Sequence, residues 1–287
     1  MLIEHDELRH YWYVVAEGHD LDSAPLAVRL LGADYVVWRS SNGELVAAPD
    51  RCPHRESPLS IGTVADGCLT CAYHGWKFGD GGACVEVPSS GVGRPVPPKA
   101  QLPTIHARER YGLVWICPGE PVADIPLMDA EDDPAYRRID SGVDRWTTSV
   151  TRMTDNFLDI AHFPWVHRGT FGIQDNQDVA KIELEPLDED FYGYRYEVEV
   201  ANAAGATSSG LDAPVISRRM TTGFNLPFTS AARSTTRPGS TTSSCSARRR
   251  STTSRRTSPS SSGATTTSPF RATRSSPSTG RSAPRTR

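Results

Sequence analysis

Two short stretches, Cys52-Pro53-His54 and Cys71-Ala72-Tyr73-His74, constrain this chain more than anything else in it. Each pairs one thiol with one imidazole, and 16 residues separate the pairs. Thiolates and imidazoles sharing one site suit either zinc or an iron–sulfur cluster. Zinc sites usually segregate their Cys and His pairs along the chain, whereas here each segment supplies one of each. In a two-iron centre with two Cys on one iron and two His on the other, that mixing has both segments gripping both irons. The mixture favours the cluster. Each pair is expected on a turn between strands, with Gly62, Gly67 and Gly75 permitting close approach to a buried cofactor.

The surrounding sequence supplies such strands. Tyr11 to Ala16, Asp34 to Arg39 and Leu45 to Ala48 are short runs, the first two rich in aromatic and β-branched residues. Ser41-Asn42-Gly43 marks a hairpin between the last two. Tyr111 to Cys117, stopped by Pro118-Gly119, reads as a buried strand. Cys68, Cys84 and Cys117 read as small buried hydrophobes. Further on, a helix is predicted over Arg152 to His162 and strands over Ala180 to Glu185 and Phe191 to Val200. In the last run Tyr192, Tyr194 and Tyr196 alternate as one sheet face would. The fold class is α+β: an all-β domain over 5–118, a connector over 119–145, an incomplete α+β domain over 146–228 and a disordered or frameshifted tail over 229–287.

Composition breaks sharply near that tail. All 34 acidic residues lie at or before Asp212 with 17 of the 31 Lys and Arg, while residues 213–287 hold 14 Arg and no acid. Ser and Thr fill 31 of the last 59 positions, a mixture that cannot bury enough apolar surface to order itself. One reading is a basic tail touching nucleic acid without specificity. The reading placed first is a shifted reading frame: out of frame, tandem Ser codons (TCN) give Phe, Leu, Ile or Val, and tandem Thr codons (ACN) give Asp, Asn, His or Tyr. Those are the classes the tail lacks. No run of 18 apolar residues and no signal-like N-terminus occurs, so a cytoplasmic protein with no membrane span is expected.

A second constellation lies at Asn156-Phe-Leu-Asp159-Ile-Ala-His162-Phe-Pro-Trp-Val-His167. Asn156, Asp159 and His162 are spaced by three, along one helical face. Pro164 disfavours helix at Phe163, and a break there lets His167 turn back toward His162. On this stretch alone, a polar helix face with two incidental histidines stays open.

Together the two constellations resemble the Rieske non-heme iron oxygenases. The first matches their cluster motif, including His74-Gly75-Trp76, and the second their Asn-x-x-Asp-x-x-His-x4-His motif. The likeness covers about residues 5–228 and leans toward enzymes such as vanillate O-demethylase oxygenase subunits. It implies a [2Fe–2S] cluster on Cys52, His54, Cys71 and His74, and a mononuclear Fe(II) on His162 and His167. Asp159 is the implied catalytic link between a mononuclear-site His and a neighbouring subunit's Rieske His, with Asn156 near the iron. The implied activity is that of an oxygenase component. It hydroxylates or demethylates a small aromatic or alicyclic substrate using O2, with electrons from a ferredoxin or a flavin/iron–sulfur reductase. A homotrimer, and no specific nucleic-acid partner, belong to the same expectation. The alternative is a Rieske electron-transfer protein without oxygenase chemistry. The family's third iron ligand is an Asp far downstream of the His pair, where this chain carries no carboxylate; the chain is expected to be truncated by the frameshift and inactive.

Overall fold

The aromatic and β-branched runs of the N-terminal region become strands because each can bury a face against its neighbours. A computed structural model describes residues 6–21, 24–91, 93–168, 170–175, 177–179, 181–202, 213–237, 240–249 and 264–267. Its first strands are β1 (Tyr13–Glu17), β2 (Leu26–Leu30), β3 (Ala33–Arg39) and β4 (Leu45–Pro49). Short strands β5 (Thr63–Ala65), β6 (Cys68–Thr70), β7 (Lys77–Phe78) and β8 (Cys84–Glu86) follow. Then come β9 (His106–Arg110) and β10 (Leu113–Cys117). They form three small sheets ordered β2-β3-β4, β5-β6-β7-β8 and β1-β10-β9, all antiparallel.

Tyr35 to Trp38 of β3 are buried consecutively, so both faces of that strand are covered. One face joins a core with Tyr13, Leu30 and Ile116; the other joins Leu59, Leu69, Phe78 and the two cysteines Cys52 and Cys71. Fully burying one such apolar side chain contributes about 1.5–3 kcal/mol, and the two cysteines are held inside that packed cluster. The hairpin at Ser40–Glu44 closes as expected, with Gly43 at φ +85°. Cys117 is fully buried, but Cys68 and Cys84 are only half-buried, against expectation, because their strands belong to a thin four-stranded sheet with one face near solvent.

The second half contains β11 (Val143–Trp146), α1 (Val150–Leu158), the single turn α2 (Phe163–Val166), β12 (Glu185–Pro186), β13 (Tyr192–Ala201) and β14 (Val215–Asn225). It continues through β15 (Thr229–Arg237), β16 (Ser240–Arg249) and β17 (Ala264–Thr267). These strands make one antiparallel sheet ordered β11-β17-β16-β15-β14-β13-β12. Val150 and Phe228 pack into the first domain's core beside Tyr13 and Val15, joining the halves. Of the expected disordered tail, residues 229–237, 240–249 and 264–267 are drawn into this sheet; the rest lies outside the described residues. A strand ladder needs only backbone donors and acceptors, and Thr is a β-favouring residue, so a poor apolar composition does not forbid pairing.

The helix predicted over Arg152 to His162 runs instead from Val150 to Leu158. The Ser149 hydroxyl caps its start, accepting from Arg152 N. It stops because Asp159 is extended (φ −87°, ψ 138°) and its carboxylate takes the N–H groups of Ala161 and His162, replacing helical acceptors. Asn156, Asp159 and His162 therefore do not share one continuous helical face. Pro164 does not break a helix either. It occupies the first turn of α2, where its missing N–H costs nothing. Among the described residues no helix is long and apolar enough to cross a membrane.

Candidate metal centres

The first pair of donors lies on the β4–β5 connection and the second on the β6–β7 connection, and the two turns are built alike. Cys52 N donates to Ser57 O and Glu56 N to Cys52 O, both at 2.9 Å. Cys71 N donates to Trp76 O at 2.9 Å and Gly75 N to Cys71 O at 3.0 Å. The fourth residue after each cysteine has positive φ: Glu56 at +58° and Gly75 at +71°. The unequal Cys-x-His and Cys-x-x-His spacings are thus absorbed inside equivalent backbone loops. Asp50 braces the first loop, accepting from Leu59 N at 2.6 Å, Ser60 N at 2.7 Å and the Ser60 hydroxyl at 2.5 Å. Gly62 and Gly67 do not admit a cofactor, as the sequence had suggested. A Cβ on Gly62 would meet the Thr70 carbonyl and one on Gly67 the Ser41 backbone, so they admit neighbouring chain.

The donors meet in two pairs, thiol with thiol and imidazole with imidazole. Cys52 and Cys71 are 2% exposed and pack in one core. The His54 and His74 rings lie 4.4 Å apart between centroids. Burial, with the adjacent Cys71 thiol adding to it, pushes the Cys52 thiol up to about 11. A thiol so placed ionises only beside a cation. Burial, then His74 and Arg55, hold His54 below the ordinary histidine range, which favours the neutral, ligating form. His54 Nδ1 is buried without a hydrogen-bond partner among the described residues. Buried sulfur, a neutral imidazole and an orphaned ring nitrogen fit a cluster with two Cys and two His ligands. A two-iron centre takes only two protein donors per iron.

Trp76, which entered only through the His74-Gly75-Trp76 motif, and Tyr73, which the sequence did not single out, complete the first site. Trp76 stacks on His54 with centroids 4.7 Å apart and planes within 5°. Tyr73, 63% exposed, covers His74 at 3.8 Å.

The second site forms where α1 gives way to α2. His162 and His167 flank the one-turn α2, and their rings lie 5.1 Å apart. His167 does turn back toward His162, but the one-turn α2 between them brings it there rather than a helix break at Pro164. Asp159 Oδ2 is 2.8 Å from His162 Nδ1. Burial alone would raise the Asp159 carboxyl, but hydrogen bonds from His162 and Ala161 hold it below the usual carboxylate range. Burial, then His162, lowers His167. Phe171 stacks on His167 at 4.4 Å, carried there by a turn in which Gly172 N donates to His167 O. Asn156 is exposed on α1. The histidines suit iron, but a third donor beside them is missing among the described residues. The adjoining cavity, lined by Phe163, Phe171, Val179, Tyr196 and Val198, measures about 40 Å³, room for water and not for an aromatic ring.

Tyr194, buried on β13, donates its hydroxyl to the Leu158 carbonyl and so ties the end of α1 to the sheet. The alternation of tyrosines marked the face but not this bond. Tyr194→Phe, which orphans that carbonyl, is expected to lower stability by about 1–2 kcal/mol in denaturant titration; an unchanged midpoint would show that the bond carries nothing.

A β-domain with matched Cys/His turns, followed by an Asp-braced histidine pair under an antiparallel sheet, defines a two-domain iron protein of the Rieske oxygenase class. Residues 11–103 match the Rieske [2Fe-2S] domain, and residues 146–260 match the vanillate O-demethylase oxygenase C-terminal domain. The two matches describe the Rieske domain and the catalytic domain of Rieske oxygenases. It is 37% identical over 193 residues to methylxanthine N1-demethylase NdmA of Pseudomonas putida, covering 64% of this chain and 54% of that one. It is also 37% identical over 165 residues to the oxygenase component of dicamba O-demethylase of Stenotrophomonas maltophilia, covering 56% and 48%. The chain thus spans about half the length of the curated relatives it matches. The structure of a Pseudomonas putida CBB5 NdmA QL mutant with theobromine superposes with TM-score 0.73 at 28% identity, over 92% of this chain and 73% of that one. A Rieske domain binds a [2Fe–2S] cluster, and the family uses mononuclear iron in its catalytic domain.

Proposed function

We propose that this chain is the oxygenase component of a multicomponent Rieske system, acting with O2 on a small aromatic or alicyclic compound by hydroxylation or demethylation. The observation that carries this reading is the presence, in one chain, of a buried Cys52/Cys71 pair, an adjacent His54/His74 pair and an Asp159-braced His162/His167 pair. Cys52, His54, Cys71 and His74 would hold the cluster, and His162 and His167 two positions of the mononuclear iron. When bound, the metals supply single electrons and the oxygen chemistry. The protein orients the substrate and excludes water. His74, exposed at the tip of its loop, faces the electron donor, a ferredoxin or a flavin/iron–sulfur reductase. Asp159 fixes the ring and tautomer of His162, and its half-exposed side chain (47%) leaves it open to a second imidazole across a subunit boundary. A homotrimer in the cytoplasm belongs with this reading.

Residues 213–287 hold no Asp or Glu, which favours a second reading: a Rieske electron-transfer protein whose second domain performs no oxygenation. A shifted frame reconciles the two, because it removes both the third ligand and the substrate pocket. The family match running on to residue 260 weighs against a shift early in the Ser/Thr-rich segment. Sequencing the gene across codons 225–240 decides this, and an intact frame ends the frameshift idea. For function, the reduced protein, supplied with Fe(II) and O2, is offered an aryl methyl ether such as vanillate. With an acidic third ligand restored by the corrected frame, formaldehyde is expected. No product from the restored protein, with its cluster intact, would leave electron transfer as the function.

A further inference from the structure

Three buried polar atoms in the first domain have no hydrogen-bond partner among the described residues: Trp38 Nε1, His54 Nδ1 and Trp76 Nε1. The cluster ligation proposed above accounts for the histidine nitrogen. It does not account for the indoles. An indole N–H can only donate, and a buried donor without an acceptor is costly enough that native structures rarely keep one. Of the two, Trp76 is tied to the ligand set. Its carbonyl accepts from Cys71 N at 2.9 Å, and its ring lies flat on His54, 4.7 Å between centroids and 5° between planes. Trp38 makes no ring contact with either histidine among the described residues.

Held flat against His54 and without an acceptor among the described residues, the buried indole N–H of Trp76 would find one in a cluster held by these four ligands. We propose that Trp76 is a cofactor-tuning residue: its ring locks the orientation of His54, and its indole N–H donates to a sulfur of the iron–sulfur cluster. This rests on the ligand assignment made above. The consequence is electrostatic. Reduction adds one negative charge to the cluster, and a donor aimed at its sulfur stabilises the more negative state. Trp76 therefore raises the reduction potential, beyond any role in packing.

The test uses the full chain with its cluster in place, in a dye-mediated redox titration followed by EPR. Trp76→Phe keeps a stacked ring and deletes the N–H. Its iron and sulfide content should match the parent, while the ratio of reduced to oxidised cluster at fixed poise falls about tenfold, about 59 mV for one electron. An unchanged potential in a fully loaded Phe variant overturns the proposal. Should that variant lose its cluster, the parent protein answers directly. With 15N-indole tryptophan incorporated, pulsed EPR of the reduced cluster should show coupling to a single exchangeable indole N–H, and its absence equally overturns the proposal. A parent protein with no cluster spectrum would sink the ligand assignment first, an outcome distinguishable from both.

Discussion

Cys71→Ala protein should purify colourless, with iron and acid-labile sulfide falling from about two of each per chain to almost none. Cys71 is 2% exposed in an apolar core with Cys52, Leu59 and Phe78, so no water or alternative side chain can take over as ligand. The neighbouring thiol, pushed up to about 11 by burial, loses the cation that would let it ionise and reverts to a neutral packing residue. Because the centre forms only in the folded domain, its binding free energy is folding free energy, and the domain should also melt earlier. The β4–β5 and β6–β7 loops, closed mainly on their own cysteines, should lose protection from hydrogen exchange before the sheets do. A coloured Cys71→Ala protein with its EPR signal intact would show that these four residues do not hold the cluster.

The second large effect is at Asp159. Asp159→Asn keeps the size of the side chain and removes the charge that steadies His162 through a 2.8 Å contact. Partners of this kind typically set 10–100-fold in metal affinity, so Co(II) or Fe(II) titration of the histidine pair should weaken by about that factor. His162→Ala should abolish the binding, and neither change should alter cluster content, because among the described residues no hydrogen bond or ring contact joins this turn to Cys52, His54, Cys71 or His74. Equal affinity in the Asn variant would mean that Asp159 does no more than cap the turn with its bonds to Ala161 and His162.

Much of the first domain was legible because its signals are local. Ser41-Asn42-Gly43 closes the hairpin it promised, and Asp34–Arg39 and Leu45–Ala48 are strands to within a residue. The donor residues could be named because thiol and imidazole chemistry is specific to few metals, whatever the fold. The second domain was harder. The helix was drawn four residues too far at its C-terminal end because Asp159 competes for backbone N–H groups through its side chain, which periodicity does not register. The Ser/Thr-rich strands β15 and β16 were missed because composition reports what side chains can bury, not what a neighbouring edge strand can template.

Residue type and order by themselves named the candidate donor residues, divided them between two loops, and showed that a carboxylate is absent after Asp212. Only the packed chain decided that Cys-x-His and Cys-x-x-His close as equivalent turns, that Trp76 lies flat on His54, and that His167 reaches His162 around a one-turn helix. The division has a physical cause. Ligand chemistry resides in single side chains, whereas the direction in which a side chain points depends on backbone angles fixed by hydrogen bonds and burial contributed from distant parts of the sequence.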